Sequence, residues 1–474
     1  MGKDYQIILD QSTSGTKLLL LKKGRIVKRY DKKHRQIYPK TGWVEHDPLE
    51  IWNNTAELLA TVFREQKVQK EDILAISITN QRETILAWDK ITGKPLCNAI
   101  VWQCNRSSDI CEALIEQGLE KVINQKTGLR LDPYFSGTKI KWLTEKHPAI
   151  AGKSGTGELA IGTMDSWLLW NLTQEKVFAT DGSNACRTLL YNINTQQWDE
   201  ELIQLFGINQ TDLPEIRAAD ENFGCYQGIP IIGVMADSQA ALLGEACTSY
   251  GDVKITMGTG CSVMMQIREQ NNLKNRQILT TVAWQKKNEA VYALEGIIRS
   301  CGDAVNWFCQ TIAVSEGISD LCNEVLLGNK EDIFFIPALQ GMGAPFWDNT
   351  MTAAFFGIKR TTTEKEMLRA VLESIIFQIK AVTDAMEEVS GQAINQVFID
   401  GGVSKNKALM ILLASLLDKK VIVSEVEEYS ALGVAALANP ALQMKHIRQE
   451  TIKPSQNSED IHLAYKKWKR LIEQ

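Results

Sequence analysis

Histidine is scarce in this chain, at five residues, and no two of them are neighbours in the sequence. Ten cysteines are present but no Cys-x-x-Cys, and Cys97, Cys104 and Cys111 follow at seven-residue spacing with no histidine beside them. A zinc cage of His and Cys has no support in this pattern, and the cysteines read as reduced, small buried hydrophobes. Any metal should be a hard ion on carboxylates. Positive charge is also short: 52 Lys and Arg against 57 Asp and Glu leave a net charge of -5, which removes the electrostatic footprint of a nucleic-acid binder. The densest basic run, Lys22 to Arg35, reads as a solvated face. No apolar run approaches the roughly 18 residues of a membrane span, and Met1-Gly-Lys-Asp4 leads into a strand without a secretory apolar segment, so a cytoplasmic location is expected. Neither a Walker-A loop nor a dinucleotide fingerprint occurs in its proper context.

What is present is an ordinary globular composition, 44% hydrophobic and 23% charged, in a chain of 474 residues, long enough that two domains are expected. Tyr5 to Asp10 is a short apolar run closed by Gln11-Ser-Thr-Ser-Gly15-Thr16, after which Leu18 to Leu21 resumes it, so a hairpin with a hydroxyl-rich turn is predicted. Asp47-Pro48 with Glu50 opens a helix carrying Trp52, Ala56, Leu59 and Phe63 on one face. Ile73 to Thr79 is strand-like and ends on Asn80-Gln-Arg-Glu-Thr84, the place where open α/β sheets put ligand contacts. Further on, Asp252 to Met265 predicts a second hairpin around Gly258-Thr259-Gly260, and Val397 to Asp400 runs through Gly401-Gly402 into a helix marked by Ala408, Leu412 and Leu416. The plan of the front half thus recurs in the back half, and two related α/β halves meeting near 240 to 250 are expected.

Small hydroxyl residues and glycines in turns let a backbone approach phosphate oxygens closely. Ser12-Thr13-Ser14-Gly15-Thr16 with Lys17, Gly258-Thr259-Gly260 and Gly401-Gly402 are candidates, although such turns serve equally as plain turns. Asp10 can hold Mg2+ or close an Asx turn, and Asp237 can accept an alcohol's proton or cap a helix. Arg82 beside Glu83 offers a donor fork and an acceptor to neighbouring hydroxyls, or an exposed ion pair. Trp102 and Tyr134 can form an apolar wall or belong to the core.

Seven runs carry a resemblance over nearly the whole chain: Gln36-Ile-Tyr-Pro-Lys-Thr-Gly-Trp-Val-Glu-His-Asp-Pro48, Ile78-Thr-Asn-Gln-Arg-Glu-Thr84, Asn98-Ala-Ile-Val-Trp-Gln-Cys104, Asp132-Pro-Tyr-Phe-Ser-Gly-Thr-Lys139, Tyr292-Ala-Leu-Glu-Gly296, Gly343-Ala-Pro-Phe-Trp-Asp348 and Asp400-Gly-Gly402. In these the chain resembles the FGGY carbohydrate kinases, and within them the branch whose acceptor is glycerol. The resemblance implies an α/β protein of two actin/hexokinase-like (ribonuclease H-like) domains with a cleft between them. Residues 1–245 would hold the acceptor and the first phosphate loop, and 246–474 the nucleotide. It implies ATP and Mg2+ as cofactors and a small polyol or sugar as partner, with no nucleic acid or membrane span, and it leaves a homo-oligomer open. Carried over by position, Asp237 is the general base and, with Asp10, a Mg2+ partner. Arg82, Glu83, Trp102, Tyr134, Asp237, Ser238 and Ser262 match acceptor contacts. Thr13, Ser14, Gly15, Lys17, Thr259, Gly302, Asn306, Gly402 and Asn406 match nucleotide contacts.

The chain departs from the glycerol branch at Ser12 for Gly, Lys17 for Arg, Asn306 for Gln, Ser238 for Gln and Ser262 for Phe. The last two enlarge the acceptor pocket and keep a longer polyol or ketose in play. The segment Asn222-Phe-Gly-Cys-Tyr-Gln-Gly228 lacks the basic fructose bisphosphate loop of some relatives, and the histidine modified by the phosphotransfer protein HPr is absent. Two other classes stay open: a nucleotide-switched interaction protein on the same actin-like scaffold, and a catalytically idle sugar sensor.

Overall fold

The computed structural model describes residues 3–269, 277–312, 317–328, 331–424, 428–441, 449–455 and 458–473. The chain divides into two compact units, one of residues 1–246, 280–292 and 428–444, the other of 247–279, 293–427 and 445–474. Each is α/β, built on its own mixed sheet.

In the first unit, strands Tyr5–Gln11, Gly15–Lys22 and Arg25–Lys33 form an antiparallel meander. Tyr5–Gln11 also pairs in parallel with Ile73–Asn80, which pairs in parallel with Ile229–Ala236, and Asn222–Tyr226 closes that edge. Ile7, Ile8 and Leu9 face Leu18 to Leu21 with almost no exposure, the continuous apolar pattern of strands covered on both sides. Helix Pro48–Gln66 starts where its sequence requires: Asp47 accepts from the Leu49 amide at 2.8 Å, and Pro48 takes the first helical position. Its Ile51, Leu58, Leu59 and Val62 enter one core with Trp167 and Leu168 of helix Met164–Leu172. Each such side chain stabilises the unit by about 1.5–3 kcal/mol.

A second pair of helices, Asp237–Gly244 and Tyr429–Ala438, packs more closely than side chains permit. A Cβ on Gly433 would stand 1.8 Å from the Ala240 carbonyl, and one on Gly244 would stand 2.1 Å from the Tyr429 carbonyl. Glycine is required at both positions, and it lets a segment from near the end of the chain pack against the helix that Asp237 opens.

The second unit repeats the plan. Strands Val253–Met257 and Cys261–Ile267 form the hairpin around Gly258-Thr259-Gly260. Val253–Met257 runs parallel to Val397–Asp400, which runs parallel to Val421–Ser424, and Gln449–Ile452 closes the edge antiparallel. Helix Glu364–Ser390 begins with a full capping box between Thr363 and Glu366 and ends at Gly391 in the left-handed region. It packs tightly at Gly296, where a Cβ would lie 2.3 Å from Val382. Among the described residues no helix is long and apolar enough to cross a membrane.

Candidate active site

Strand register brings the first group of residues together. Asp10 pairs across to Thr79 and Gln11 to Asn80, while Thr79 and Asn80 pair in turn with Met235 and Ala236. Asp10, the pentad Asn80 to Thr84 and Asp237 therefore leave the carboxyl ends of three neighbouring parallel strands, where such sheets place ligands.

Asp10 is buried, and its cross-strand partner is Lys17, whose Nζ lies 3.6 Å from Asp10 Oδ2 and 3.5 Å from Glu428 Oε2. The Ser430 hydroxyl donates to Asp10 Oδ2 at 3.4 Å. Burial pushes the Asp10 carboxyl up to about 6; Lys17 pulls it down, while Asp237 and Glu428 push it up. Burial opposes the charge on Lys17, yet Asp10 and Glu428 raise its pKa overall, so it stays protonated.

Arg82 Nε lies 3.6 Å from Asp237 Oδ1 and 3.9 Å from Glu83 Oε1, a guanidinium flanked by one partly exposed and one buried carboxylate. Glu83 is held from behind by Arg187, whose Nε donates to Glu83 Oε1 at 2.7 Å, and by Ser136, whose hydroxyl donates to the Glu83 carbonyl at 2.8 Å. Its backbone takes φ 59°, a conformation costly for a residue with a Cβ. Asp237 is the first residue of its helix, and its Oδ1 accepts from the Ser238 amide at 2.7 Å.

Trp102 and Tyr134 stand together with ring centroids 5.3 Å apart. The Trp102 indole donates to the Thr13 hydroxyl at 3.0 Å, tying this aromatic pair to the first hairpin turn. Lys139, fully buried, donates to the carbonyls of Pro133, Tyr134 and Phe135 and so fixes the loop that carries Tyr134. Burial lowers its pKa to about 8. Gly15 permits the first turn to close on its neighbour, since a Cβ there would lie 2.5 Å from the Lys32 carbonyl, and Ser14, at the tip, is exposed.

The second unit gathers the other glycines. The amides of Gly302 and Cys301 donate to the carbonyls of Gly258 and Thr259, both at 3.0 Å. A Cβ on Gly302 would meet the Gly258 carbonyl at 2.8 Å and Val403 at 3.2 Å, whereas one on Gly402 would meet nothing within 4 Å. The Gly258-Thr259-Gly260 turn, the start of helix Gly302–Thr311 and the Gly401-Gly402 turn thus form one backbone-lined surface, with Asn306 exposed on that helix. Asn406 caps helix Lys407–Leu417, its side chain accepting from the Leu409 amide at 2.9 Å. Ser262 belongs to this unit too, its hydroxyl 3.5 Å from the buried Glu295.

A hard cation fits the first group. Asp10 and Asp237 present carboxylate oxygens, and the pKa of Asp10 is raised first by burial and then by Asp237 and Glu428, negative neighbours that a cation would offset. Among the described residues no group of three or more His, Cys, Asp and Glu is placed to hold a metal ion. His34 and His46, twelve positions apart in sequence, have ring centroids 4.4 Å apart, but burial lowers the pKa of both. Arg187 and Glu428 shape the site from outside the seven resembling runs, while Lys139 and His46 lie inside two of them without a role read from the sequence.

Residues 5–244 match the N-terminal domain, and residues 253–442 the C-terminal domain, of the FGGY family of carbohydrate kinases. The chain is 41% identical over 485 residues to Glycerol kinase 1 of Thermotoga maritima, covering 99% of each. It is 42% identical over 450 residues to the glycerol kinase of Brevibacillus brevis, covering 93% of this chain and 90% of the relative. Among solved structures, Plasmodium falciparum glycerol kinase with ADP superposes with a TM-score of 0.91 at 32% identity, over 99% of this chain and 98% of that one. The xylulose kinase of Lactobacillus acidophilus, at 21% identity and a TM-score of 0.89 over 98% and 97%, shares the fold.

Proposed function

We propose, since this chain belongs to the FGGY family of carbohydrate kinases, that it transfers the terminal phosphoryl group of ATP to a hydroxyl of glycerol. As a family member it is a phosphotransferase acting on an alcohol. The observation that carries the acceptor is the Asp237–Arg82–Glu83 line, in which a guanidinium fork and two carboxylates can grip vicinal hydroxyls.

Asp237 is the general base that takes the proton as the hydroxyl attacks. Arg82 and Glu83 hold the polyol's oxygens, and the Trp102 and Tyr134 rings cover its carbons. Ser238 is an acceptor contact whose small size loosens discrimination. Within the first unit, Lys17 and the Thr13-Ser14-Gly15 turn are phosphate contacts; within the second, Thr259, Gly302, Asn306, Gly402 and Asn406 are nucleotide contacts. Asp10 and Asp237 would hold Mg2+, which neutralises charge on the phosphate oxygens. The product leaves as glycerol 3-phosphate and ADP.

One ADP-release assay over glycerol, erythritol, threitol, xylitol, xylulose and ribulose tests this reading. The highest kcat/KM on glycerol is expected; a higher value on any longer acceptor reassigns the substrate, and no dependence on any of them points to a nucleotide switch.

A further inference from the structure

The Thr13 turn and the Trp102 wall are joined twice, once directly and once through a circuit of hydrogen bonds that is buried at Thr84, Gln81 and His46. Directly, the Trp102 indole donates to the Thr13 hydroxyl. The circuit leaves Trp102 through its amide, 3.4 Å from the Thr84 hydroxyl, which donates to Gln81 Oε1 at 2.9 Å. Gln81 Nε2 lies 3.3 Å from His46 Nδ1, His46 Nε2 lies 2.8 Å from Gln36 Oε1, and Gln36 Nε2 donates to the Thr13 carbonyl at 2.7 Å.

Two backbone carbonyls set its polarity. The Thr13 carbonyl can only accept, so Gln36 faces His46 with its oxygen and His46 Nε2 must donate. The Ser12 carbonyl accepts from Gln11 Nε2, which leaves Gln11 Oε1 to accept from Gln81 Nε2 at 3.0 Å and gives His46 Nδ1 a donor to accept from. Only a neutral imidazole protonated on Nε2 satisfies both sides. The environment agrees, because burial, then the neighbouring His34, lowers the His46 pKa to about 3.

We propose that His46 is a positioning residue: as a neutral, fully buried imidazole it closes the circuit that fixes the Thr13 turn and Trp102 in one geometry, so nucleotide and acceptor contacts are set together. This rests on the polyol kinase reading for the identity of the two ligands. A hydrogen-bond circuit whose members are paired and whose centre is buried specifies a single arrangement, and a misplacement of about 1 Å at reacting groups can cost about 100-fold in rate.

The test breaks the circuit on either side of His46 with Gln36→Leu, Thr84→Val and the double variant in the full chain. Gln36 is half-buried and Val is isosteric with Thr, so all three should fold. Each single variant should lose about 10- to 100-fold in kcat/KM, and the double should be little worse than the poorer single, because the circuit acts as a unit. Losses that multiply in the double, singles within about twofold of wild type, or losses that follow Tm alone overturn the proposal. Absence of polyol-dependent ADP release in wild type would instead sink the functional reading. In that event calorimetric Mg-ADP affinity decides: Gln36→Leu should weaken it about tenfold, and unchanged affinity overturns the proposal.

Discussion

Arg187 donates from Nε to Glu83 Oε1 at 2.7 Å, with the Arg187 side chain fully buried and that of Glu83 only 1% exposed. The two are 104 residues apart in sequence, and the Arg187 guanidinium also sits 5.1 Å from the centroid of the Phe135 ring. The ion pair holds the Glu83 side chain in place, while Arg82 on the adjacent residue reaches toward Asp237. Arg187→Leu removes one partner of a buried pair and should cost about 3–5 kcal/mol of stability in denaturant unfolding. Glu83→Gln, which keeps a neutral acceptor for Arg187, should cost less stability and instead raise the acceptor KM with the ATP KM unchanged. The reverse ranking of the two variants in stability would remove Arg187 as the support of Glu83.

Asp10 makes a pH prediction with a definite sign. Its pKa in the folded protein, about 6, stands above the ordinary 3.8, so the folded state resists ionising it and stability falls as pH rises from about 4 to 6. In metal-free buffer Asp10→Asn should therefore be the more stable protein above pH 6, by on the order of 3 kcal/mol at most, with the advantage gone below pH 4. The same proton competes with a cation. At sub-saturating Mg2+, kcat/KM for ATP should drop as pH falls through about 6, and added Mg2+ should move the drop to lower pH. A profile indifferent to Mg2+ would separate Asp10 from the metal.

Ser238 follows the proposed base directly, its amide donating to Asp237 Oδ1. Ser238→Gln adds length and an amide beside that carboxylate, which narrows the space for a longer chain and supplies a contact to a three-carbon one. A misfit of methylene size is worth roughly 1–3 kcal/mol, so the ratio of kcat/KM for glycerol over the best longer acceptor should rise by about 10- to 200-fold. An unchanged ratio in an active variant would mean that position 238 does not meet the acceptor.

Much of the fold was legible because its signals are local. The hairpin turns at Ser12-Thr13-Ser14 and Gly258-Thr259-Gly260, the Asp47-Pro48 helix start and the strand ends at Gln11, Asn80 and Asp400 all lie within a few residues of the chemistry that causes them. The recurrence of one sheet plan in both halves was legible for the same reason, as a repeated order of apolar runs and turns. What stayed hidden depends on distant pairing. Glu428 meets Lys17 across 411 positions, and the helix that follows it, Tyr429–Ala438, is apolar nearly all round, so its pattern does not say which helix it packs on. His46 reads in sequence as a residue before a helix cap; only the fold brings Gln36 and Gln81 to its two nitrogens.

The central claim, that Asp237 removes the proton of a polyol hydroxyl during transfer from ATP, is met most directly by one paired measurement. Glycerol-dependent ADP release is followed in wild type and Asp237→Asn, with ATP affinity measured calorimetrically on both. Loss of a general base predicts turnover about 100- to 10,000-fold lower in the variant, with its fold and ATP binding retained. Near-normal turnover in purified Asp237→Asn would contradict the account.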